Sequence, residues 1–207
     1  MSNTGGKHKR AAIIYFPGRI DRKKLEAAVG LTLSSLHWEP SLWLPTNPDE
    51  TGGVQALRAV AQNATHILVA GGDGTVREVL DALARENVKN VTVGIIPIGT
   101  GNALARNLKI DLVNLKTSVK HGLLGNRHQI DLGLAKVIWP NGDREEFYFA
   151  VMGGMGLDAK IMQKTNPALK KAIGWVAYFE GGIRSLPTLF ERMQVTVDNR
   201  ETRKLKV

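Results

Sequence analysis

At 207 residues with 43% hydrophobic side chains, the chain can bury one full core and part of another, and its composition is that of a globular protein. Zero cysteines exclude disulfides, zinc–cysteine sites and thiol catalysis, and no apolar run is long enough to span a bilayer. The net charge of +9 calls for an anionic partner, which nucleotide phosphates or an anionic membrane surface would satisfy; a basic solvated surface is the plain alternative.

Nucleic acid ranks last among such partners. The basic groups at Lys7 to Arg10, Arg19 to Lys24, Lys160 to Lys171 and Arg200 to Lys206 lack the aromatic interleaving of stacking platforms. The basic opening is not followed by a signal-peptide core, so a cytoplasmic protein is expected.

Ala11 to Phe16 reads as a buried strand ending at Pro17-Gly18, with a helix from about Asp21 to Val29. His37 to Pro45 supplies a second short strand. The turn-rich loop Thr46 to Gly53 then leads into a helix over Val54 to Gln62. Next comes an apolar run from His66 that stops in Gly71-Gly72-Asp73-Gly74-Thr75, with a helix expected from Val76 to Arg85. Three glycines in four positions let backbone N–H groups approach a ligand where a Cβ would block it, and a phosphate suits that description. The plain alternative is a loop with Asp73 as an ordinary helix N-cap. Val76, Val79, Leu80 and Leu83 stand at helical spacing toward a core, which leaves Glu78 on the other side.

The arrangement repeats. Strand Val91 to Ile98 ends in Gly99-Thr100-Gly101-Asn102 ahead of the helical pattern Ala103 to Leu108, with Asn102 placed to cap and Arg106 one turn inside. Two such turns after parallel strands open on one carboxyl edge, where ligands of open α/β sheets collect. A further helix is expected from Leu112 to Leu124.

From His128 the pattern changes. Gln129 to Trp139 and Glu145 to Met152 are strand-like runs joined across Pro140-Asn141-Gly142-Asp143, a hairpin signal. Leu157 to Leu186 reads as one or two helices, and Met193 to Val197 as a strand turning at Asp198-Asn199. The expected division is a nucleotide-binding domain over 1–127 and the start of a β-rich domain over 128–207.

Gly71-Gly72-Asp73-Gly74-Thr75 with Glu78, then Pro97 leading into Gly99-Thr100-Gly101-Asn102 and Arg106, resembles the catalytic domain shared by diacylglycerol kinases, sphingosine kinases and bacterial lipid kinases. The resemblance extends to Thr46, to Ile130-Asp131-Leu132-Gly133 and to Gly154-Met155-Gly156-Leu157-Asp158-Ala159, covering most of the chain. It implies an α/β protein of the NAD kinase/diacylglycerol kinase type, with an N-terminal parallel sheet followed by a mostly antiparallel β-sandwich. In that family the later strands of the sandwich return with an additional acidic motif; this chain stops at Val207, and a shortened, incomplete second domain is expected.

The same resemblance implies an ATP-dependent, Mg²⁺-dependent lipid kinase that works at a membrane surface, peripheral to the inner face, and that could form a homodimer. Asp73 would be its catalytic residue, either linked to Mg²⁺ through water or accepting the proton of the lipid hydroxyl. Thr46, Gly71, Gly72, Gly74, Thr75, Glu78, Gly99, Thr100, Gly101, Asn102 and Arg106 would hold the nucleotide. No side chain is assigned as a direct metal ligand. Phe16 departs from the pattern, since the family usually has asparagine before Pro17.

The acceptor is read as diacylglycerol or a related neutral lipid. Asn102-Ala103-Leu104-Ala105 resembles sphingosine kinases, but the carboxylate those enzymes use for an amino alcohol would fall near Lys160, of opposite charge. Lys170, Lys171, Ile173, Trp175, Val176, Tyr178 and Phe179 read first as a core-facing helix with a basic outer side, and second as a lipid entrance. Rival readings are a sphingosine-type kinase, an NAD kinase, which shares Gly-Gly-Asp-Gly-Thr but not the second motif, and a nucleotide-binding module without turnover. The required lysine of a P-loop and the spacing of a dinucleotide fold are both missing from the glycine turns.

Overall fold

In the computed structural model, residues 9–139, 141–152, 192–198 and 202–206 are described. The chain divides into two compact units, Met1–Met152 and Gly153–Val207. The segments expected to form the helices of 157–186, the lipid entrance and Lys160 lie outside the described residues.

The first unit is a three-layer α/β structure. Its elements run β1 (Arg10–Tyr15), α1 (Arg22–Leu33), β2 (Glu39–Pro45), α2 (Gly52–Ala61), β3 (His66–Gly71), α3 (Asp73–Arg85), β4 (Thr92–Pro97), α4 (Ala103–Asn107) and α5 (Leu115–Leu124), then strands β5 (Gly133–Ile138) and β6 (Arg144–Phe149). β1 to β4 form a parallel sheet in the order β2-β1-β3-β4. β1 and β3 are buried almost throughout, as strands covered on both faces must be.

Alternate residues of these strands feed two cores. Ala12, Ile14, Ile67, Val69 and Ile95 pack with Ala56 and Ala59 of α2 and with Val76, Val79 and Leu83 of α3. Ile13, Tyr15, Leu68 and Ile96 pack on the other face with Leu25 and Val29 of α1 and Val119 and Leu123 of α5. The period-2 alternation of strands and the helical spacing of Val76, Val79 and Leu83 are therefore the same fact seen from two sides.

Two helices begin earlier than the sequence reading has them, while α1 runs on to Leu33, α5 begins only at Leu115 and β5 only at Gly133. α3 begins at Asp73, not Val76: Gly72 is the N-cap, extended at φ −94°, ψ −173°, and the Val76 N–H already donates to Gly72 O at 3.1 Å. Gly71 and Gly72 thus serve close approach, since no glycine of this turn has positive φ. α2 likewise starts at Gly52 and takes both Gly52 and Gly53 into its buried first turn.

α5 seats on β4 through two glycines. A Cβ built on Gly94 would lie 2.6 Å from Gly122 Cα and 2.7 Å from Leu68 Cδ2. The expected hairpin also forms, with β5 and β6 antiparallel and Gly133 opposite Phe149. In the second unit the described residues form one antiparallel pair, β7 (Arg192–Val195) with β8 (Arg203–Lys206).

At the amino edge of the sheet, His66 is 3% exposed. Its ring packs against Trp38 with centroids 4.6 Å apart and the planes tilted by 48°. Nε2 lies 3.3 Å from the Arg127 guanidinium, which can only donate, so Nε2 is the acceptor and Nδ1 carries the proton toward Thr65 Oγ1, 3.0 Å away. A second proton on the ring would set two donors against each other. Burial first, then the Arg127 and Lys9 charges, push its pKa down from 6.5 to about 4.

Two outcomes follow from this packing. Gly94→Ala should destabilise the chain by about 2 kcal/mol or more in urea unfolding, because backbone on α5 must give way. Between pH 4 and 6.5 the unfolded His66 binds a proton that the folded ring refuses, so this stabilisation is complete above 6.5 and is lost as pH falls through the window. His66→Gln should remove that part of the pH slope when the unfolding free energies of the two proteins are compared at each pH.

Candidate functional site

β1, β3 and β4 end side by side at Tyr15, Gly71 and Pro97, so the turns after them share one edge. The chain leaves β1 outward to β2, then returns across it to β3, which makes the β1/β3 boundary the switch point of the sheet.

The two glycine motifs meet at that edge. A Cβ on Gly99 would stand 2.6 Å from Gly72 Cα and 2.8 Å from Asn102 Oδ1, so only glycine lets the loops approach this closely. A Cβ on Gly71 would strike the Thr75 side chain at 2.7 Å, while one on Gly74 would meet nothing within 4 Å. Gly74 therefore faces open space at the first turn of α3. The first α3 N–H with an acceptor among the described residues is that of Val76, which leaves the N–H groups of Asp73, Gly74 and Thr75 without a partner among those residues, beside that space.

Asp73 is exposed beside them, and its Oδ1 accepts the N–H of Ala103 at 2.6 Å. It caps α4 rather than its own helix, so the plain alternative of an ordinary N-cap does not hold. Asn102 also differs from expectation. It occupies the N-cap position of α4 at φ 50°, but its side chain closes the loop, accepting from Gly99 N–H at 3.0 Å and donating Nδ2 to Gly99 O at 2.7 Å. Asp73 supplies the cap that Asn102 does not.

The remaining candidates take the following places. Arg106 is exposed and donates Nε–H to Gly101 O at 2.8 Å, bracing the second loop from inside the helix. Thr100 is exposed at the rim, whereas Gly101 is buried. Thr46 is buried, and both its N–H and its hydroxyl donate to Tyr15 O, at 2.8 and 3.4 Å. Glu78 is half-buried, and its Oε2 accepts the N–H of Gly52 at 3.0 Å, capping α2, whose Thr51 makes no side-chain cap. The structure thus gathers Asp73, Gly74, Thr75, Gly99, Thr100 and Asn102 at one place; Thr46 and Glu78 support the neighbouring turn.

That turn is pinned by groups that no local pattern singles out. Gln55, fully buried, donates to Pro45 O at 2.7 Å, and Arg58 pairs with Glu50 at 2.5 Å, holding that carboxyl below its usual range. Asp81 and Arg85 were also missed. Their i,i+4 spacing is legible, but their contact with β6, 61 and 67 residues downstream, is not.

Open backbone donors in a glycine cradle suit the phosphates of ATP. Among the described residues no group of three or more acidic or histidine side chains gathers. Were Mg²⁺ to accompany the phosphates, the exposed Asp73 carboxylate would be the oxygen donor placed to hold it through water.

The diacylglycerol kinase catalytic domain family matches residues 20–135, more than half of the chain. A diacylglycerol kinase of Bacillus subtilis (strain 168) is 32% identical over 183 residues, covering 87% of this chain and 57% of that protein. A "Probable lipid kinase YegS-like" of Serratia proteamaculans (strain 568) is 36% identical over 124 residues, or 59% of this chain and 38% of the other. The crystal structure of a diacylglycerol kinase from Bacillus anthracis str. Sterne superposes with a TM-score of 0.67 at 22% identity, covering 95% of this chain and 61% of that one, and shows the shared fold. The chain spans 56 to 57% of the length of the first two curated relatives.

Asn102→Ala should cost about 2 kcal/mol in chemical unfolding, because it removes two loop hydrogen bonds and leaves in the left-handed region a residue that tolerates it less well than asparagine. Asn102→Gly relieves the backbone but not the loop, and should fall between the two.

Proposed function

The chain belongs to the diacylglycerol kinase catalytic-domain family, and from that premise we propose that residues 1–127 form the nucleotide-binding domain of an ATP- and Mg²⁺-dependent lipid kinase, with 128–207 opening its β-rich partner. The observation that carries this reading is the first turn of α3, where three N–H groups without an acceptor among the described residues and an exposed carboxylate lie beside the open space at Gly74, next to the Gly72–Gly99 contact of the two loops. The names of the relatives support a lipid as acceptor. Diacylglycerol is the proposed acceptor and phosphatidic acid the product, made at the cytoplasmic face of a membrane to which the protein binds peripherally. Among the described residues no helix is long and apolar enough to cross a membrane.

In the proposed reaction the acceptor hydroxyl oxygen forms a bond to the γ-phosphorus as the bond to the bridging oxygen breaks, and ADP leaves with that electron pair. The hydroxyl proton passes to Asp73 or to water. Such a transfer asks for position and charge neutralisation more than for covalent help. Donors at Gly74, Thr75, Thr100 and Gly101 would hold phosphate oxygens, and Arg106 would add positive charge at the rim. Mg²⁺ supplies charge neutralisation between the phosphates when bound.

The test is transfer of labelled γ-phosphate from ATP to diacylglycerol, sphingosine and NAD by the full-length protein, with and without Mg²⁺. Lipid phosphorylation is expected. Transfer to NAD alone, or nucleotide binding with no transfer at all, would replace this reading. Asp73→Asn keeps an oxygen for the Ala103 N–H, so fold and nucleotide affinity should survive while kcat falls about 100-fold or more.

A further inference from the structure

α3 is gripped at its far end by the β5–β6 hairpin. The Tyr148 N–H donates to Asp81 Oδ1 at 2.7 Å, and Asp81 Oδ2 pairs with Arg85 Nε at 2.9 Å. Arg85 in turn donates Nη2 to Glu146 O. Tyr148 N–H and Glu146 O lie two residues apart, on the β6 edge that β5 does not use. One ion pair thus satisfies an open strand edge as a neighbouring strand would. The Asp81 side chain is 17% exposed, so this is a sheltered contact.

The clasp also fixes a direction. Glu146 sits at Arg85 and Tyr148 at Asp81, so β6 runs along α3 toward its amino end, the end that carries Asp73. From Asp81 back to Asp73 is about 12 Å of helix, and the four residues after Tyr148 reach at most about 13 Å. The chain stays close as it goes: Ala150 packs on the cluster that contains Val76 and Val79 of α3. Beyond it Val151 and Met152 are 42% and 53% exposed, two apolar side chains presented to solvent.

Resting on the kinase reading above, we infer that Asp81 and Arg85 are positioning residues for the phosphoacceptor: they set the register of β6 on α3 and so hold Val151 and Met152 as an apolar lip for the lipid on the Asp73 side. The lip takes the acyl part of the acceptor, and the clasp fixes its place relative to the glycine cradle. Nucleotide binding does not depend on it, because none of the clasp atoms contacts the cradle.

The experiment uses the full-length protein with Asp81→Ala, Asp81→Asn and Met152→Ser. In Asp81→Ala the Tyr148 amide should lose its protection from hydrogen exchange, and KM for a long-chain diacylglycerol should rise about 10-fold, the usual size for a lost charge-assisted hydrogen bond. Kd for an unreactive ATP analogue should stay unchanged. Asp81→Asn keeps an acceptor for Tyr148 and should recover most of the loss, while Met152→Ser should raise the same KM with the clasp intact. Lost protection with an unchanged acceptor KM would reduce the clasp to a purely structural contact and overturn the inference, as would equal weakening of nucleotide and acceptor. A wild-type protein that transfers phosphate to no lipid would overturn the functional reading instead, a result distinguishable by its independence of the variants.

Discussion

Helix α3 lacks a side-chain cap, yet its own carboxylates satisfy the backbone of three other elements. Asp73 accepts the first N–H of α4, Glu78 accepts the first N–H of α2, and Asp81 accepts an N–H from the edge of β6. Each contact places negative charge on an orphan donor, and two of them lie at helix amino ends where it is most favourable. The spacing of three to five residues spreads these acids along α3 while Val76, Val79 and Leu83 hold its other face in the core. The relative placement of the β2–α2 turn, both glycine motifs and the hairpin therefore depends on one helix.

This arrangement explains what could be read from the chain alone. Strands with continuous apolar runs, such as Ile67 to Ala70, and helices with regular core spacing, such as Val76, Val79 and Leu83, follow from local pattern, and the sheet edge follows from their order. The glycine motifs were legible as turns that need close backbone approach because a missing Cβ is a property of the residue itself. Their contact with each other, Gly72 on Gly99, needed the fold.

Side-chain roles were less legible, for a physical reason. Asp73, Asn102 and Glu78 all have partners that sequence position does not announce: Ala103 is 30 residues from Asp73, and Gly52 is 26 from Glu78. An asparagine before a helix ordinarily caps it, and Asn102 has the right position. Its left-handed backbone turns the side chain back to Gly99, and a carboxylate from another helix takes its place. The shift of the α3 start from Val76 to Asp73 has the same origin, since helix propensity counts glycine against a first turn that tertiary contacts then stabilise.

The start of α3 also shows how a site draws on the rest of the fold. A serine or aspartate at position 72 would satisfy an N–H of the first turn and add roughly a few tenths of a kcal/mol to the helix. Gly72 forgoes that stabilisation, and a side chain there would press on Gly99 at 3.3 Å. The same absence keeps the N–H groups of Asp73, Gly74 and Thr75 available and the two loops in contact. Burial of Val76, Val79 and Leu83, each about 1.5 to 3 kcal/mol, outweighs the missing cap. A stronger helix start would close the very donors that the proposed phosphate needs, so the local weakness of this turn and its proposed binding capacity are one property.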